Sequence, residues 1–342
     1  MTQENSSFKD GIQYAWDSTS LKYAESCLQL YKYKMIDNWQ PLQRSPHLLF
    51  GGWYASALEH FHKLIANKMP REEAIEEVVL ETLIATWEYE PCEPCNGTGL
   101  VLEAPIPFTT QAEAAIGDCE TCSGTGRGVS LGPWASTDNL KTRENLIRTI
   151  IWYFEQFADD SCKTLTLSDG SPMVEHSFKL EVDNGIVFCG HLDRGVEFAG
   201  KPYIQDQKTS KSTITANYFK SFNPDTQISG MYPFAGRAIF HIPFRGMMID
   251  AAQIAVGFSR FERGFIPVDE SSLNEWYDDS MYRIEEVNLA VKNNYFPRNR
   301  SSCSKYAGCE FREICSKSPH VRPNFLKANF IQGSPWDPMK SR

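Results

Sequence analysis

The sequence predicts an α/β fold, with helices packed on a small mixed sheet, and three observations carry that expectation. Apolar residues recur at three- and four-residue steps through much of the first 90 positions. Short runs rich in β-branched and aromatic residues, bounded by Gly, Asn or Pro, fill much of residues 171–260. Residues 91–133 turn to Cys, Gly, Pro and Thr, the composition of an inserted loop module. With 342 residues and 42% apolar content the chain can bury a substantial core, and 21 Phe, 14 Tyr and 8 Trp argue against long disordered segments.

Residues 14–39 are expected to form the first helix, with Ser18 or Ser20 as its N-cap. A second follows Gly51-Gly52 through WYASALEHFHKLIANK. A third follows Pro70 through REEAIEEVVLETLIATWEYE, its acids placed early, where the helix dipole favours them. Beyond the cysteine-rich stretch, Ser136-Thr137-Asp138 are expected to cap an amphipathic helix over 138–158. Strands are read from SPMVEHSFKLEV, GIVFCGHLDRGVEF and KPYIQDQKT, then a helix near 226–240, a strand in MIDAAQIAVGFSR and a polar helix over 269–294. Mixed strands with helices before and after them give the helix-on-sheet class. Four segments are expected: a helical part over 1–90, a zinc-binding insertion over 91–133, a core over 134–295, and a cysteine-bearing segment and tail over 296–342.

No stretch approaches twenty uninterrupted apolar residues, and MTQENSSFKDG lacks the basic start and apolar centre of a secretory signal. A soluble, cytoplasmic protein without membrane partners is expected. The net charge of −9 argues against nucleic-acid binding by bulk electrostatics. It leaves room for a local basic groove beside a metal-dependent acidic site.

The segment GHLDRGVEFAGKPYIQDQKTSK reads as a hairpin with Asp193 on one strand and Asp206 and Lys208 on the next. Alternation puts Asp206 and Lys208 on one face and turns Gln207 away. Two carboxylates and the carbonyl of Gln207 make a hard oxygen site suited to Mg²⁺ or Mn²⁺, with Lys208 beside it. Lys211 and Lys220 add positive charge where a phosphate backbone would lie. The plainer reading is a surface hairpin with an ordinary Asp–Lys pair and solvated lysines.

Gly190-His191-Leu192-Asp193-Arg194 and Asp206-Gln207-Lys208-Thr209 resemble the PD-(D/E)XK nuclease superfamily, in particular its RecB-like branch. Asp225-Thr226-Gln227, with Tyr232 following, is similar to that branch's Q-x-x-x-Y helix motif, one residue out of step. The resemblance implies a restriction-endonuclease-like core and a Mg- or Mn-dependent deoxyribonuclease in which Asp193 and Asp206 hold the metal. Lys208 then assists the water or the transition state, and Gln227 orients the site. Glu175 is an outer-sphere or second-metal candidate, and Tyr232 a weaker one. Many relatives supply a metal-binding histidine from the helix that FGGWYASALE resembles; here Ala55 stands in its place, and His60 and His62 do not inherit the role.

The ten cysteines sort by position. CEPCNGTG and CETCSGTGRG bring Cys92, Cys95, Cys119 and Cys122, four thiolates that complete a closed, structural zinc site. The two units look like half of the four repeats in the DnaJ-type cysteine-rich domain. Cys303, Cys309 and Cys315 are evenly spaced and one ligand short of a cluster or a zinc site, with Cys27 the candidate fourth. The context of Cys27, STSLKYAESCLQLYKYK, resembles nucleases whose early cysteine and three late ones hold a 4Fe–4S cluster across the chain's ends. A zinc ion on the same four thiols is the alternative. Cys162 and Cys189 read as small core hydrophobes.

Phage-encoded nucleases, the nuclease halves of bacterial recombination helicases and CRISPR adaptation nucleases are the relatives implied. They point to single-stranded DNA or DNA ends as substrate, in recombination, repair or replication, beside a partner protein. The competing class is a non-catalytic nucleic-acid or protein-binding module that keeps the nuclease scaffold.

Overall fold

The computed structural model describes residues 7–102, 116–222, 226–304 and 308–340; Asp225 lies outside them. Seven strands form one mixed sheet: β1 (Ala15–Trp16), β2 (Lys163–Thr164), β3 (Val174–Glu181), β4 (Val187–Phe198), β5 (Lys201–Ser210), β6 (Gly246–Ala255) and β7 (Phe258–Pro267). Its path runs β3-β4-β5-β6-β7, with β1 and β2 each adding to β4. Along that path only β5 and β6 are parallel. Such a pair needs a crossover connection.

The principal helices are α1 (Ser18–Ser26), α2 (Pro46–Ala66), α3 (Arg71–Ala85), α4 (Arg143–Gln156), α5 (Gln227–Phe240) and α6 (Glu270–Lys292). The α5 segment supplies the crossover from β5 to β6. One apolar cluster joins Trp16, Phe188, Ile204, Met231 and Trp276, so α1, α5 and α6 cover one face of the sheet. A second joins Phe50, Leu58, Leu146, Tyr153 and Ala252 beneath α2, α3 and α4 on the other. Fully burying one such side chain contributes about 1.5–3 kcal/mol. Covered on both faces, β6 is buried from Gly246 to Ile254. The architecture is thus the expected helix-flanked mixed sheet. No described helix is long and apolar enough to cross a membrane.

Several element boundaries differ from the sequence reading. Residues 14–39 are not one helix: Trp16 joins the sheet, and Asp17, in place of Ser18 or Ser20, caps α1 in a box with Ser20. Cys27 then adopts an extended backbone and breaks the helix before Leu28–Tyr31. There Asn299 donates its backbone N–H to the Cys27 Sγ and its side-chain amide to the Ser26 carbonyl. The break therefore serves a contact 272 positions away. The WEYE end of the third expected helix instead opens a strand, Trp87–Pro91, paired with Arg127–Pro133 as the stalk of the insertion. The single strand read from MIDAAQIAVGFSR is split between β6 and β7 by a turn at Gly257 (φ 78°).

The chain's two end regions meet. Trp39–Pro41 pairs antiparallel with Phe330–Gln332, and Tyr33, Phe311, Ile314, Leu326 and Phe330 form a small core behind that ribbon.

The helix expected over 138–158 begins only at Arg143, with Thr142 as its cap. Asp138 instead folds a turn, accepting from the amides of Leu140 and Lys141 and pairing with Lys211 at 2.6 Å. This turn presses Lys141 against α2, where it is 1% exposed with its Nζ 4.3 Å from the centre of the Phe50 ring. Burial is the main cause that pulls the Lys141 ammonium down to about 7; Lys211 adds to it and Asp138 opposes it. A lysine depressed in the folded state binds fewer protons there than when unfolded. Its burden on stability is full below about pH 7 and lifts as pH rises towards about 10.4, the unfolded value. Lys141→Met is expected to raise the melting temperature at neutral pH and to flatten its rise between pH 7 and 10, read by thermal melts across that range.

Candidate functional site

Asp193 and Asp206 are brought together by a parting of strands. β4 pairs with β3 as far as Arg194, but with β5 only from Arg194 to Phe198, the last rung being Arg194–Gln205. One residue further, that register sets Asp193 opposite Asp206, and β5 goes on paired with β6. The amide of Gln207 donates to the Asp193 Oδ2 at 3.2 Å, where a regular ladder would offer a backbone carbonyl. Asp206 and Lys208 share a face and form an ion pair. Asp206 is 3% exposed, and its Oδ2 receives no well-angled hydrogen bond among the described residues; the Lys208 ammonium is what meets it.

Glu175 joins them. The rungs Val174–Arg194 and His176–Leu192 flank it, so it lies across from Asp193, buried, with a left-handed backbone (φ 47°) inside a strand. Holding a non-glycine residue there costs about 1–3 kcal/mol. Burial first, then the Asp206 carboxylate, pushes the Asp193 carboxyl well above the usual carboxylate range; Glu175 adds to this and Lys208 opposes it. Burial pulls the Lys208 ammonium down, but Asp206 and Asp193 outweigh it and hold that group above its ordinary value. The three carboxylates and the main-chain carbonyl of Gln207 are groups that suit a hard divalent cation. A crowded, buried carboxylate set whose charges raise one another's proton affinity fits such an ion.

Tyr232 and Asp193 line one cavity of about 390 Å³, with Ser18, Trp336 and Asp337 also in its wall. The Tyr232 hydroxyl is hydrogen-bonded to Ser18, and burial raises its pKa, Asp193 and Asp206 adding to the effect. Gln227 is different. Its amide donates to Glu25, 3.3 Å away, and its oxygen accepts from the Trp276 indole at 3.2 Å. The structure brings it to neither carboxylate; it ties α5 to α1 and α6.

The opposite face of the strands carries a buried polar network that the sequence reading missed. Arg194 donates to Gln205 (3.0 Å), to Thr164 (2.9 Å) and to the Cys162 carbonyl (3.3 Å), and meets the His62 Nε2 at 3.2 Å. Gln205 donates to Asp250, which also accepts from Tyr153 and Arg263. Burial, then Arg194, holds the His62 pKa well below its ordinary value, so this histidine is neutral. The only sequence signal for the network is position: Arg194 adjoins Asp193 and alternation sends it to the other face. His60 faces Glu77 and Glu81 at the surface.

The insertion's two cysteine units interlock about a pseudo-twofold. The Cys92 amide donates to the Gly126 carbonyl and the Cys119 amide to the Gly99 carbonyl. The Gly99 amide points at the Cys95 Sγ (3.3 Å), and that of Gly126 at the Cys122 Sγ (3.2 Å). All four thiols are buried, with Sγ–Sγ spacings of 3.9 Å (Cys92–Cys119) and 3.7 Å (Cys95–Cys122). Thiolates about 2.3 Å from a tetrahedral zinc stand about 3.8 Å apart, so these residues fit one ion.

Cys27, Cys303, Cys309 and Cys315 line a single cavity of about 390 Å³, together with Lys22, Arg298, Arg300 and Arg312. Among the described residues, only the insertion's cysteines form a four-thiol set within 4.8 Å of one another. The wider set therefore surrounds a larger space, in cationic surroundings that suit an anionic thiolate assembly.

No family model matches the chain, and no curated protein does. Among solved structures, the chain is similar to a protein of Eubacterium rectale named "Putative exonuclease", at 12% identity and a TM-score of 0.45 over 89% of each chain. It is also similar to the protein SSO0001, at 16% identity and a TM-score of 0.23, over 41% of this chain and 60% of that one. At these scores neither likeness bears on the argument below.

Gly99 has φ 76°, and a Cβ there would drive into the Gly124 carbonyl. Gly99→Ala is expected to open the interlock, with lost zinc and faster proteolysis within 91–133 as the readouts; full zinc retention would contradict the fit.

Proposed function

We propose that the protein is a divalent-metal-dependent deoxyribonuclease that hydrolyses phosphodiester bonds, most readily in single strands or at free DNA ends. The observation that carries this reading is the meeting of Asp193, Asp206 and Lys208 where β4 and β5 part, with Asp206 buried and its Oδ2 met by the Lys208 ammonium. Asp193, Asp206 and the Gln207 carbonyl would hold Mg²⁺ or Mn²⁺, with Glu175 as a further carboxylate. When bound, such an ion acidifies water and neutralises charge on a phosphate under attack. Lys208, paired with Asp206, is placed to stabilise negative charge on the phosphate or to assist the water. Gln227 acts through helix packing, and Tyr232 narrows the approach to Asp193. A place in bacterial or phage recombination, repair or replication, beside a partner protein, follows from the same reading.

We further infer that Cys27, Cys303, Cys309 and Cys315 hold a 4Fe–4S cluster and that the insertion holds Zn²⁺. Supporting the first are the shared cavity and its four cationic side chains; supporting the second is the tetrahedral thiol spacing.

Purified protein is expected to cut single-stranded oligonucleotides with Mg²⁺ or Mn²⁺ and not in EDTA. Asp206→Ala and Lys208→Ala should each lower the rate at least a hundredfold while melting as folded proteins, on the scale of a lost charge-stabilising group. Undiminished cutting by both would end the assignment of this site, and no metal-dependent cutting by the wild type would leave the scaffold-only alternative. Protein purified without oxygen should carry close to four irons and one zinc per chain (a cluster in one site, one ion in the other). Two zincs and no iron would overturn the cluster.

A further inference from the structure

The insertion's stalk places two aromatic rings on one face and keeps acids on the other. Alternation along Trp87–Pro91 turns Glu88 and Glu90 away from Trp87 and Tyr89. Although the pairing with Arg127–Pro133 shifts register on either side of Tyr89, the Trp87 bond to Ser130 and the place of Arg127 over the Tyr89 ring gather the three on one face. Trp87 is 40% exposed and Tyr89 36%. The Trp87 indole donates to the Ser130 hydroxyl at 2.7 Å, across from Tyr89. The Arg127 guanidinium lies 4.9 Å from the centre of the Tyr89 ring, and that of Arg143 lies 5.7 Å from the Trp87 ring. Arg143 is fixed from its edge by the Thr86 hydroxyl and the Leu83 carbonyl.

The pattern continues onto α4. Arg148 stands over Trp152 at 5.2 Å, and both line a groove of about 410 Å³ with Arg143, Glu144 and Leu83. Three arginine-on-aromatic pairs thus run from the stalk across α4, in a chain whose net charge is −9. Isolated surface cation–π pairs are common, but three in succession, two on exposed rings and one on the half-buried Trp152, combine the two parts of a strand-binding platform. Ring faces stack bases, and guanidinium groups meet phosphates.

We propose that Trp87, Tyr89, Arg127, Arg143, Arg148 and Trp152 form an accessory site for single-stranded nucleic acid, distinct from the carboxylate site. The ligand is a flexible polynucleotide with unpaired bases, because only unpaired bases offer their faces to Trp87 and Tyr89. The guanidinium groups on the rings give complementary charge, which favours this occupant over an apolar peptide. This proposal rests on the nuclease reading for its substrate class, and its test separates the two.

Binding of a fluorescent oligothymidylate to the full protein in EDTA would be measured by anisotropy, with tryptophan quenching as the direct sign of stacking. Trp87→Ala with Tyr89→Ala should weaken binding roughly tenfold or more, as loss of stacked rings does. Arg127→Ala with Arg148→Ala should lower the slope of log affinity against log salt by about 1–2. Zinc content and melting temperature should stay at wild-type values in both. Wild-type affinity in the ring variant, or no quenching, overturns the platform whatever the cutting assay gives. Platform binding with no metal-dependent cutting by the wild type would instead remove the nuclease reading and leave the platform standing.

Discussion

The candidate site depends on one constraint: β5 leaves β4 at Asp193 while both strands stay held on their other edges. The β4 edge facing β3 is paired from Val187 to Arg194 and β5 runs on against β6, but the ladder between β4 and β5 ends at Arg194–Gln205. Just past that rung the backbones separate, and Asp193 and Asp206 occupy the gap. Period-two alternation then divides adjacent residues between two tasks. Asp193 and Asp206 crowd charge into the gap, while Arg194 and Gln205 bond one another on the far face and lead to Asp250. That far-face network is hydrogen-bonded through Thr164, Tyr153 and Arg263, so the strands that carry the acids are held from behind. Within that frame, burial first and then the neighbouring Asp206 carboxylate keep the Asp193 pKa raised.

The two cysteine sites use the same number of thiols to opposite geometric ends. In the insertion, paired turns and close backbone approach bring the sulfurs to tetrahedral spacing, and the ligands are local. At the other site they come from positions 27 and 303–315, and the gathering is done by the rest of the chain. The Trp39–Pro41 and Phe330–Gln332 ribbon, the aromatic core around Phe311, and Arg298 and Arg322 bonded to the Cys315 carbonyl bring the segments together. The cavity's cationic wall follows from that assembly, because Lys22 arrives with Cys27 and Arg298, Arg300 and Arg312 arrive with the late cysteines.

Features set by neighbours in sequence were readable before the fold was known, and those set by distant partners were not. The hairpin at 190–211, the Asp206–Lys208 face and the doubled cysteine turns need only alternation and turn chemistry. The break at Cys27 depends on Asn299, and the short α4 on Asp138 being drawn to Lys211. Gln227 matched a motif, yet its amide is spent on Glu25 and Trp276, partners no local pattern announces. Glu175 was readable as an acid on a strand; its left-handed backbone, which sets it across from Asp193, was not. A residue that breaks its own local rule at such a point is where tertiary structure has overruled propensity.

A net charge of −9 and a polynucleotide ligand are compatible once charge is followed residue by residue. The acids of the parted strands are gathered where a divalent cation would reverse their sign for an approaching phosphate. On the stalk, alternation along Trp87–Pro91 sends Glu88 and Glu90 to one side and the two rings to the other, where Arg127 of the paired strand joins them, so the two-stranded ribbon carries both signs without mixing them. Attraction limited to a few guanidinium groups gives weak, shallowly salt-dependent binding, which leaves ring stacking as the larger contribution. Stacking requires bases free of a partner strand. The same arrangement that compensates for the unfavourable overall charge therefore selects unpaired over paired DNA, without any contact that reads sequence.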